Sequence, residues 1–169
     1  MDHFIGSTRY EDRDPDGQYF TLMADFGFVW DNYLVICPEG NKTDGLSVPR
    51  PARWYIAPFK SPLRRAAVPH DLGYDHTAVV VDLAASGMDA GMAFIAWRMN
   101  VERLGLVLIH GRDVPKKFWD DCFLAAMLVC RREATKKPTM AKIRAAYRMV
   151  CMFGRMRPHP KPLAGKAID

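Results

Sequence analysis

The hydrophobic pattern of this chain changes period once, and that change limits the folds open to it. Residues 19–24, 26–30 and 33–37 are short aromatic and β-branched runs typical of strands, and Asp31-Asn32 predicts a tight turn between the last two. Farther on, apolar residues recur at helical spacing and predict helices over 62–74, 77–100 with a break near Gly87, 115–133 and 139–153. The sequence therefore predicts an α+β fold, mostly helical, with an N-terminal antiparallel β-hairpin or meander followed by a helix pair that carries His70 and Asp120.

Two segments leave the secondary structure open. Pro69 interrupts the first predicted helix, where a proline removes a hydrogen bond, so a kink or a restart is expected. Residues 104–109 are compatible with either a helix or a strand.

The length of 169 residues fits one domain, which we place at 1–154, followed by a basic, proline-rich tail over 155–169 that is expected to be extended. No apolar run approaches the roughly 18 residues of a membrane span, so no transmembrane segment is expected. The acidic N-terminus lacks the pattern of a secretory signal, which predicts synthesis in the cytosol. The four cysteines form no C-x-x-C pair and are expected to be buried thiols.

Charge is unevenly distributed along the chain. Residues 1–130 hold 13 basic against 17 acidic side chains, whereas residues 131–169 hold 11 against 2. A basic end on an acidic body favours an anionic partner, such as a membrane surface or nucleic acid, with a solvated basic helix as the alternative. No base-reading motif is present, so sequence-specific binding of nucleic acid is not expected.

Two motifs carry residues suited to catalysis or metal binding. In Thr43-Asp44-Gly45, the carboxylate could bind a hard cation and the glycine N–H an oxyanion, although Asp-Gly also forms ordinary turns. In His70-Asp71-x-x-Tyr74, the i, i+4 spacing places imidazole and phenol on one helical face, so one turn could supply a base, a metal ligand and an orienting hydroxyl. A structural histidine is the alternative.

A third candidate is Asp120, which lies at the edge of the apolar face of the predicted helix 115–133, with Asp121 pointing toward solvent. A partly buried acid needs a partner, and a histidine or tyrosine on a facing helix would serve. A cap or a local salt bridge to Lys116 or Lys117 is the alternative. The apolar face itself is formed by Trp119, Cys122, Phe123, Ala126, Met127 and Cys130.

These motifs together resemble the phage and prophage family called domain of unknown function 1353 (DUF1353). The resemblance rests on Thr43-Asp-Gly-Leu-Ser-Val-Pro49, Ala66-Ala-Val-Pro-His-Asp-x-x-Tyr74, Asp120-Asp-Cys-Phe-Leu-Ala-Ala-Met127 and the segment 147–154, and it covers roughly 19–154. It implies a phage or prophage origin, synthesis in a host cytoplasm and incorporation into a virion as a further option. It implies no activity.

The order of the motifs is also similar to that of secreted phospholipase A2, especially its bacterial and fungal branch. This resemblance implies that His70 is a general base, held by Asp120 with help from Tyr74. It implies that Asp71 and Asp44 bind Ca²⁺, which stabilises an oxyanion together with the Gly45 N–H. The chain departs from that family in having Val68-Pro69 rather than a cysteine before His70, and in its long segment 75–118.

The sequence thus leaves two functions open. One is a phage-encoded, calcium-dependent ester hydrolase acting at an anionic phospholipid surface. The other is a non-catalytic virion, tail or assembly component that binds phage structural proteins and keeps the motifs as a brace. A metal-dependent phosphohydrolase with a His-Asp dyad would need a histidine upstream of the dyad, where His3 alone is present.

Overall fold

The protein has an α+β fold that is about half helical in the part described by the computed structural model, residues 1–6, 9–11, 20–43, 63–100 and 105–153. The helices there are α1 (Arg64–Tyr74), α2 (Leu83–Ser86), α3 (Ala90–Arg98), α4 (Lys116–Glu133) and α5 (Met140–Phe153). The strands are β1 (His3–Ile5), β2 (Tyr10–Glu11), β3 (Phe20–Leu22), β4 (Phe26–Trp30), β5 (Tyr33–Cys37), β6 (Lys42–Thr43), β7 (Val79–Asp82) and β8 (Leu108–His110). The expectation of a mostly helical protein is therefore corrected.

A five-stranded antiparallel sheet organises the fold, in the order β1-β4-β5-β7-β8. The hairpin β4–β5 begins and ends where the sequence predicts, and Asp31 occupies its turn with a φ of 53°. Aspartate tolerates this left-handed conformation because its short side chain can bond to nearby backbone. Strands β2, β3 and β6 form a second, smaller antiparallel sheet.

Helices cover the large sheet on both faces. Strand residues that point to one face form a continuous core with α1 and α4, and this core contains Phe26, Phe28, Val35 and Val80. Residues of the opposite face, among them Val29, Leu34, Ile36 and Val81, pack against Ala93 and Phe94 of α3. This alternation follows from the period of two in a strand, and it separates α3 from the α1–α4 pair by the thickness of the sheet.

The segment 77–100 differs from its predicted helix or helix pair. Residues Val79–Asp82 form strand β7 between β5 and β8, because three consecutive β-branched valines suit a strand that is covered on both faces. The predicted break at Gly87 is confirmed, since this residue ends α2 with a φ of 62°. The ambiguous stretch before His110 ends in strand β8.

Helix α1 is continuous through Pro69, so the expected restart of the helix at this proline does not occur. The proline removes one backbone hydrogen bond, but residues 66–73 are all buried, and this packing holds the helix together.

Helix α4 buries every residue of its predicted apolar face. In α5, Ile143 and Val150 are buried, whereas Met140 is exposed. The thiols of Cys37, Cys122 and Cys130 are buried, and Cys151 is half-buried. No helix in the described part is long and apolar enough to cross a membrane. The predicted tail 155–169 and its preceding Gly154 lie outside the described residues.

Candidate functional site

The candidate site lies where α1 and α4 approach each other closely. A Cβ atom on Gly73 of α1 would lie 2.2 Å from the indole ring of Trp119 on α4, a distance that real Cβ contacts do not show. Glycine therefore permits this approach, and the helix that carries His70 reaches the helix that carries Asp120. The two helices also share a buried apolar core, so their relative position is fixed by packing.

Asp120 is the centre of the polar contacts between these helices. The Tyr74 hydroxyl donates to Asp120 Oδ1 at 2.8 Å, and the Lys116 ammonium donates to Oδ2. His70 Nε2 lies 3.7 Å from Oδ1, within ion-pair distance. Burial by itself would raise the pKa of Asp120, but the His70 ring, the Lys116 ammonium and the Tyr74 hydroxyl outweigh it and hold that pKa well below its ordinary value. Asp120 is therefore a buried carboxylate anion at neutral pH.

The second carboxylate, Asp71, lies on the other side of the imidazole. Its Oδ1 is 3.4 Å from His70 Nδ1, and its Oδ2 accepts a hydrogen bond from the Thr43 hydroxyl at 2.7 Å. Thr43 ends strand β6, so this bond connects the small sheet to α1. All three side chains are buried, with at most 6 % of each residue exposed. The imidazole of His70 thus lies between two buried carboxylates.

The two carboxylates determine the protonation of His70. Burial lowers the pKa of this imidazole, but the nearby Asp120 and Asp71 raise it by more, so the net pKa lies above the ordinary value. The ring also packs against two aromatic side chains, with centroids 4.3 Å from that of Tyr74 and 5.1 Å from that of Phe123. His70 Nε2 is buried and makes no hydrogen bond within the described residues. The ring is therefore held by the contact of Nδ1 with Asp71, by the ion pair with Asp120 and by packing.

The structure brings four of the predicted site residues together: His70, Asp71, Tyr74 and Asp120. The sequence offered a partner on a facing helix and a local salt bridge as alternatives for Asp120, and the structure shows both. Asp120 contacts His70 and Tyr74 on the facing helix and forms the local ion pair with Lys116. Lys117 pairs instead with Asp121, which is half-buried rather than fully directed toward solvent. The remaining two predicted residues, Asp44 and Gly45, lie outside the described residues, as do the aromatic residues between 54 and 59.

Sequence reasoning missed the roles of Thr43 and Gly73. Thr43 was part of a recognised motif, but nothing in the motif indicates that its hydroxyl contacts Asp71, which is 28 positions away. Gly73 lies inside a helix, where glycine is unfavourable, and that is a usable signal of close helix packing.

Among the described residues, no three His, Cys, Asp or Glu side chains converge to hold a metal ion. Asp71 is the one implied calcium ligand in the described part, and both of its oxygens already face protein groups, Thr43 and His70. His3, the upstream histidine that a His-Asp phosphohydrolase would need, lies on β1, where Nδ1 is 2.8 Å from the Met1 carbonyl oxygen.

Comparison with known protein families gives a match. A family model described as "Protein of unknown function (DUF1353)" matches residues 20–141. No curated protein and no solved structure matches the chain.

Proposed function

We propose that this chain, which belongs to the DUF1353 family of proteins of unknown function, is an ester hydrolase in which His70 is the general base. The observation that supports this most directly is the geometry around Asp120. A buried carboxylate receives Tyr74 and Lys116 as donors and lies 3.7 Å from His70 Nε2. An imidazole ion-paired at one nitrogen with an oriented carboxylate can transfer a proton through the other nitrogen, which here is Nδ1, 3.4 Å from Asp71 Oδ1.

The proposed mechanism assigns the two ring nitrogens different tasks. In this mechanism Nε2 closes its 3.7 Å separation from Asp120 Oδ1, which then favours the tautomer with the proton on Nε2. Nδ1 parts from Asp71 Oδ1, 3.4 Å away, and takes a proton from water. The resulting hydroxide forms a bond to the ester carbonyl carbon. When the tetrahedral intermediate collapses, the bond to the alkoxide breaks and the imidazolium returns the proton to that alkoxide. Asp120 and Asp71 favour the transient imidazolium, because each places a carboxylate oxygen within 3.7 Å of one ring nitrogen.

The resemblance to phospholipase A2 supplies the proposed substrate class, a phospholipid ester at an anionic surface. It also supplies the proposed cofactor, Ca²⁺, with Asp71 and Asp44 as ligands and the Gly45 N–H beside the oxyanion. When bound, the ion would supply electrostatic stabilisation of the developing oxyanion. The described residues do not by themselves form a calcium site. The proton transfers of the proposed mechanism use His70 and not the ion.

The test of the proposal is hydrolysis of anionic phospholipid in mixed micelles by the full chain, with millimolar Ca²⁺ and with chelator. His70→Ala should lower kcat by about 10²–10⁴-fold, the range of general-base catalysis. The matched control is His110→Ala, which removes an exposed histidine from strand β8 and should leave kcat unchanged. Failure of the wild-type chain to hydrolyse phospholipid under either condition would refute the phospholipase assignment.

The second candidate is a non-catalytic phage virion, tail or assembly component. It is favoured by the burial of Thr43, His70, Asp71 and Asp120, because these side chains join β6, α1 and α4 as an internal polar brace would. In that case His70→Ala would lower the free energy of unfolding, and the wild-type chain would co-sediment with phage particles and hydrolyse no ester. Ester hydrolysis by the wild-type chain therefore separates the two candidates, and thermal unfolding of His70→Ala shows whether a loss of activity comes from a loss of the fold.

A further inference from the structure

Unpaired positive charge is concentrated on α5 and on the turn that leads into it. The basic surface, as we call it, consists of the exposed residues Lys136, Lys137, Lys142, Arg144 and Arg148. Residues 131–153 hold seven basic side chains against one acidic side chain, Glu133, which is already paired with Arg65 of α1. In the part of the chain that the structure describes, no carboxylate lies within ion-pair distance of the five cations. Their charges therefore face solvent without neutralisation by the protein.

The placement of these cations does not stabilise α5. Arg144 and Arg148 are one helical turn apart on the same exposed face, and like charges at this spacing destabilise a helix. Lys142 lies in the first turn, where positive charge opposes the helix dipole. The sequence of α5 contains no aspartate or glutamate that would balance them. A negatively charged partner explains this distribution better than helix stability does.

The basic surface is held on a fixed scaffold. Ala146 lies on the side of α5 opposite the two arginines and is buried in the core shared with α1 and α4. The turn before α5 is attached to α4, because Arg131 Nε donates to the Pro138 carbonyl oxygen at 3.0 Å. Thr139 Oγ1 accepts the backbone N–H of Lys142 at 3.3 Å at the start of α5. The cations are thus presented on preorganised backbone, which lowers the entropy cost of binding.

The distribution of apolar residues favours nucleic-acid phosphates over a lipid surface as the partner. Binding of a helix to a bilayer interface grows with the apolar area that it inserts. The apolar side of α5 is buried in the core, and its two exposed methionines, Met140 and Met152, lie at opposite ends, about 18 Å apart along the axis. Between them the exposed face carries Arg144 and Arg148, whose planar guanidinium groups match phosphate oxygens. Cations without a continuous apolar patch are typical of contacts to a phosphate backbone.

The nucleic acid that this surface fits is a duplex. Binding of single strands uses aromatic side chains on which the bases stack. Tyr147, the aromatic residue of α5 whose surroundings the structure describes, is half-buried and donates its hydroxyl to Asp121. It is therefore not presented for stacking. A DNA duplex instead carries roughly one negative charge per 1.7 Å of its axis, so that several fixed cations can contact phosphates at once.

We propose that the basic surface of α5 binds the phosphate backbone of double-stranded DNA without reading its sequence. Residues 1–130, with 13 basic against 17 acidic side chains, are repelled by the same polyanion, which orients the chain with α5 toward the duplex. The inference goes beyond the proposed hydrolase, because catalysis by His70 makes no use of these five cations. DNA binding and ester hydrolysis are measured separately, and either can fail while the other holds.

The experiment measures binding of the full chain to a fluorescent DNA duplex of about 20 base pairs by anisotropy, between about 50 and 200 mM salt. Contacts from all five cations should make the affinity fall by roughly 500-fold over this range. Arg144→Gln combined with Arg148→Gln removes two contacts, so the slope of log affinity against log salt should become shallower by about 1.8. Two duplexes of unrelated sequence should bind equally.

The matched control is Lys42→Gln combined with Arg112→Gln. It removes the same charge from exposed positions on β6 and on the turn before α4, and it should keep the wild-type slope. Circular dichroism of both double variants establishes that the fold is retained.

Three results would overturn the proposal. The first is a wild-type chain that does not bind the duplex at the lowest salt concentration. The second is an arginine variant with the wild-type slope, or a control that loses as much as the arginine variant, since either would assign binding to net charge or to another surface. The third is a wild-type chain that binds phosphatidylglycerol vesicles but no DNA and loses vesicle binding in the arginine variant, since this would assign the basic surface to a lipid.

Discussion

Tyr74 donates its hydroxyl to Asp120 Oδ1 at 2.8 Å, and one position farther along α4 the same arrangement recurs. There Tyr147 of α5 donates to Asp121 Oδ1 at 3.0 Å. Each carboxylate also pairs with the lysine four residues before it, Lys116 or Lys117. The two sets differ in what else they contact, because Asp120 lies beside the buried His70. The second set is thus an internal control for the first.

The first prediction uses this control to test Lys116 as a positioning residue. Lys116→Met removes the donor at Asp120 Oδ2, so Tyr74 alone holds the carboxylate with its Oδ1 toward His70. We expect a fall in kcat of about tenfold, equivalent to ~1.4 kcal/mol in the barrier. Lys116→Arg should retain most of the activity because it keeps a donor. Steady-state kinetics on phospholipid micelles give the measurement.

Lys117→Met is the matched variant, because Lys117 makes the same i, i+4 contact but with 83 % of its side chain exposed. It should leave kcat and KM unchanged. Equal losses in the Lys116 and Lys117 variants would mean that the effect comes from helix stability rather than from the position of Asp120.

The second prediction concerns the close approach of α1 and α4. Gly73→Ala places a Cβ atom 2.2 Å from the Trp119 ring, so the helices must separate or the indole must move. Overpacking of this kind costs about 1–3 kcal/mol, and the free energy of unfolding in urea should fall by that amount. Gly91→Ala in α3 is the control, since its Cβ meets only the end of the Asp89 side chain at 3.2 Å and alanine favours a helix. A Gly73→Ala variant as stable as the wild type would contradict the prediction.

How far the sequence predicts this fold depends on whether the local pattern agrees with the tertiary environment. Strands β4 and β5 are correct to the residue because their alternating apolar side chains match the two covered faces of one sheet. Strand β7 was assigned to a helix because a run of apolar residues has no period that separates a buried strand from a buried helix. Residues 79–82 form a strand because they pair with β5 and β8. β5 lies more than 40 positions away in the sequence, and β8 has a weak strand pattern of its own.

The candidate site is predictable to the extent that its spacing is local. His70 and Tyr74 are related by one helical turn, and Asp120 is marked as a carboxylate beside an apolar face. The contact of Thr43 with Asp71 depends on how the small sheet packs against α1, which no local pattern contains. Sequence reasoning also treated the Lys116 ion pair as an alternative to a functional Asp120. The structure combines them, because a carboxylate has two oxygens.

The third prediction concerns acid stability and follows from the lowered pKa of Asp120. A group whose pKa is lower in the folded state stabilises the fold above its unfolded pKa, here an ordinary value of 3.8, and that stability is lost as the pH falls through the folded pKa. The wild-type free energy of unfolding should therefore fall below about pH 4 more steeply than that of Asp120→Asn. Urea unfolding at a series of pH values between neutral and acidic measures this. Parallel curves for the two proteins would show that Asp120 contributes nothing to acid sensitivity.

The last prediction concerns calcium, which the proposed hydrolase site requires. Calorimetric titration of the full chain should show binding in the 0.1–1 mM range that is ordinary for sites of low charge. Asp71→Asn and Asp44→Asn should each abolish it, because each removes one of the two proposed carboxylate ligands. Asp113→Asn, which removes an exposed carboxylate from the turn before α4, is the control and should bind as the wild type does. No heat of binding at millimolar Ca²⁺ would refute the calcium site. If ester hydrolysis then persisted in chelator, hydrogen-bond donors of the protein alone would stabilise the oxyanion.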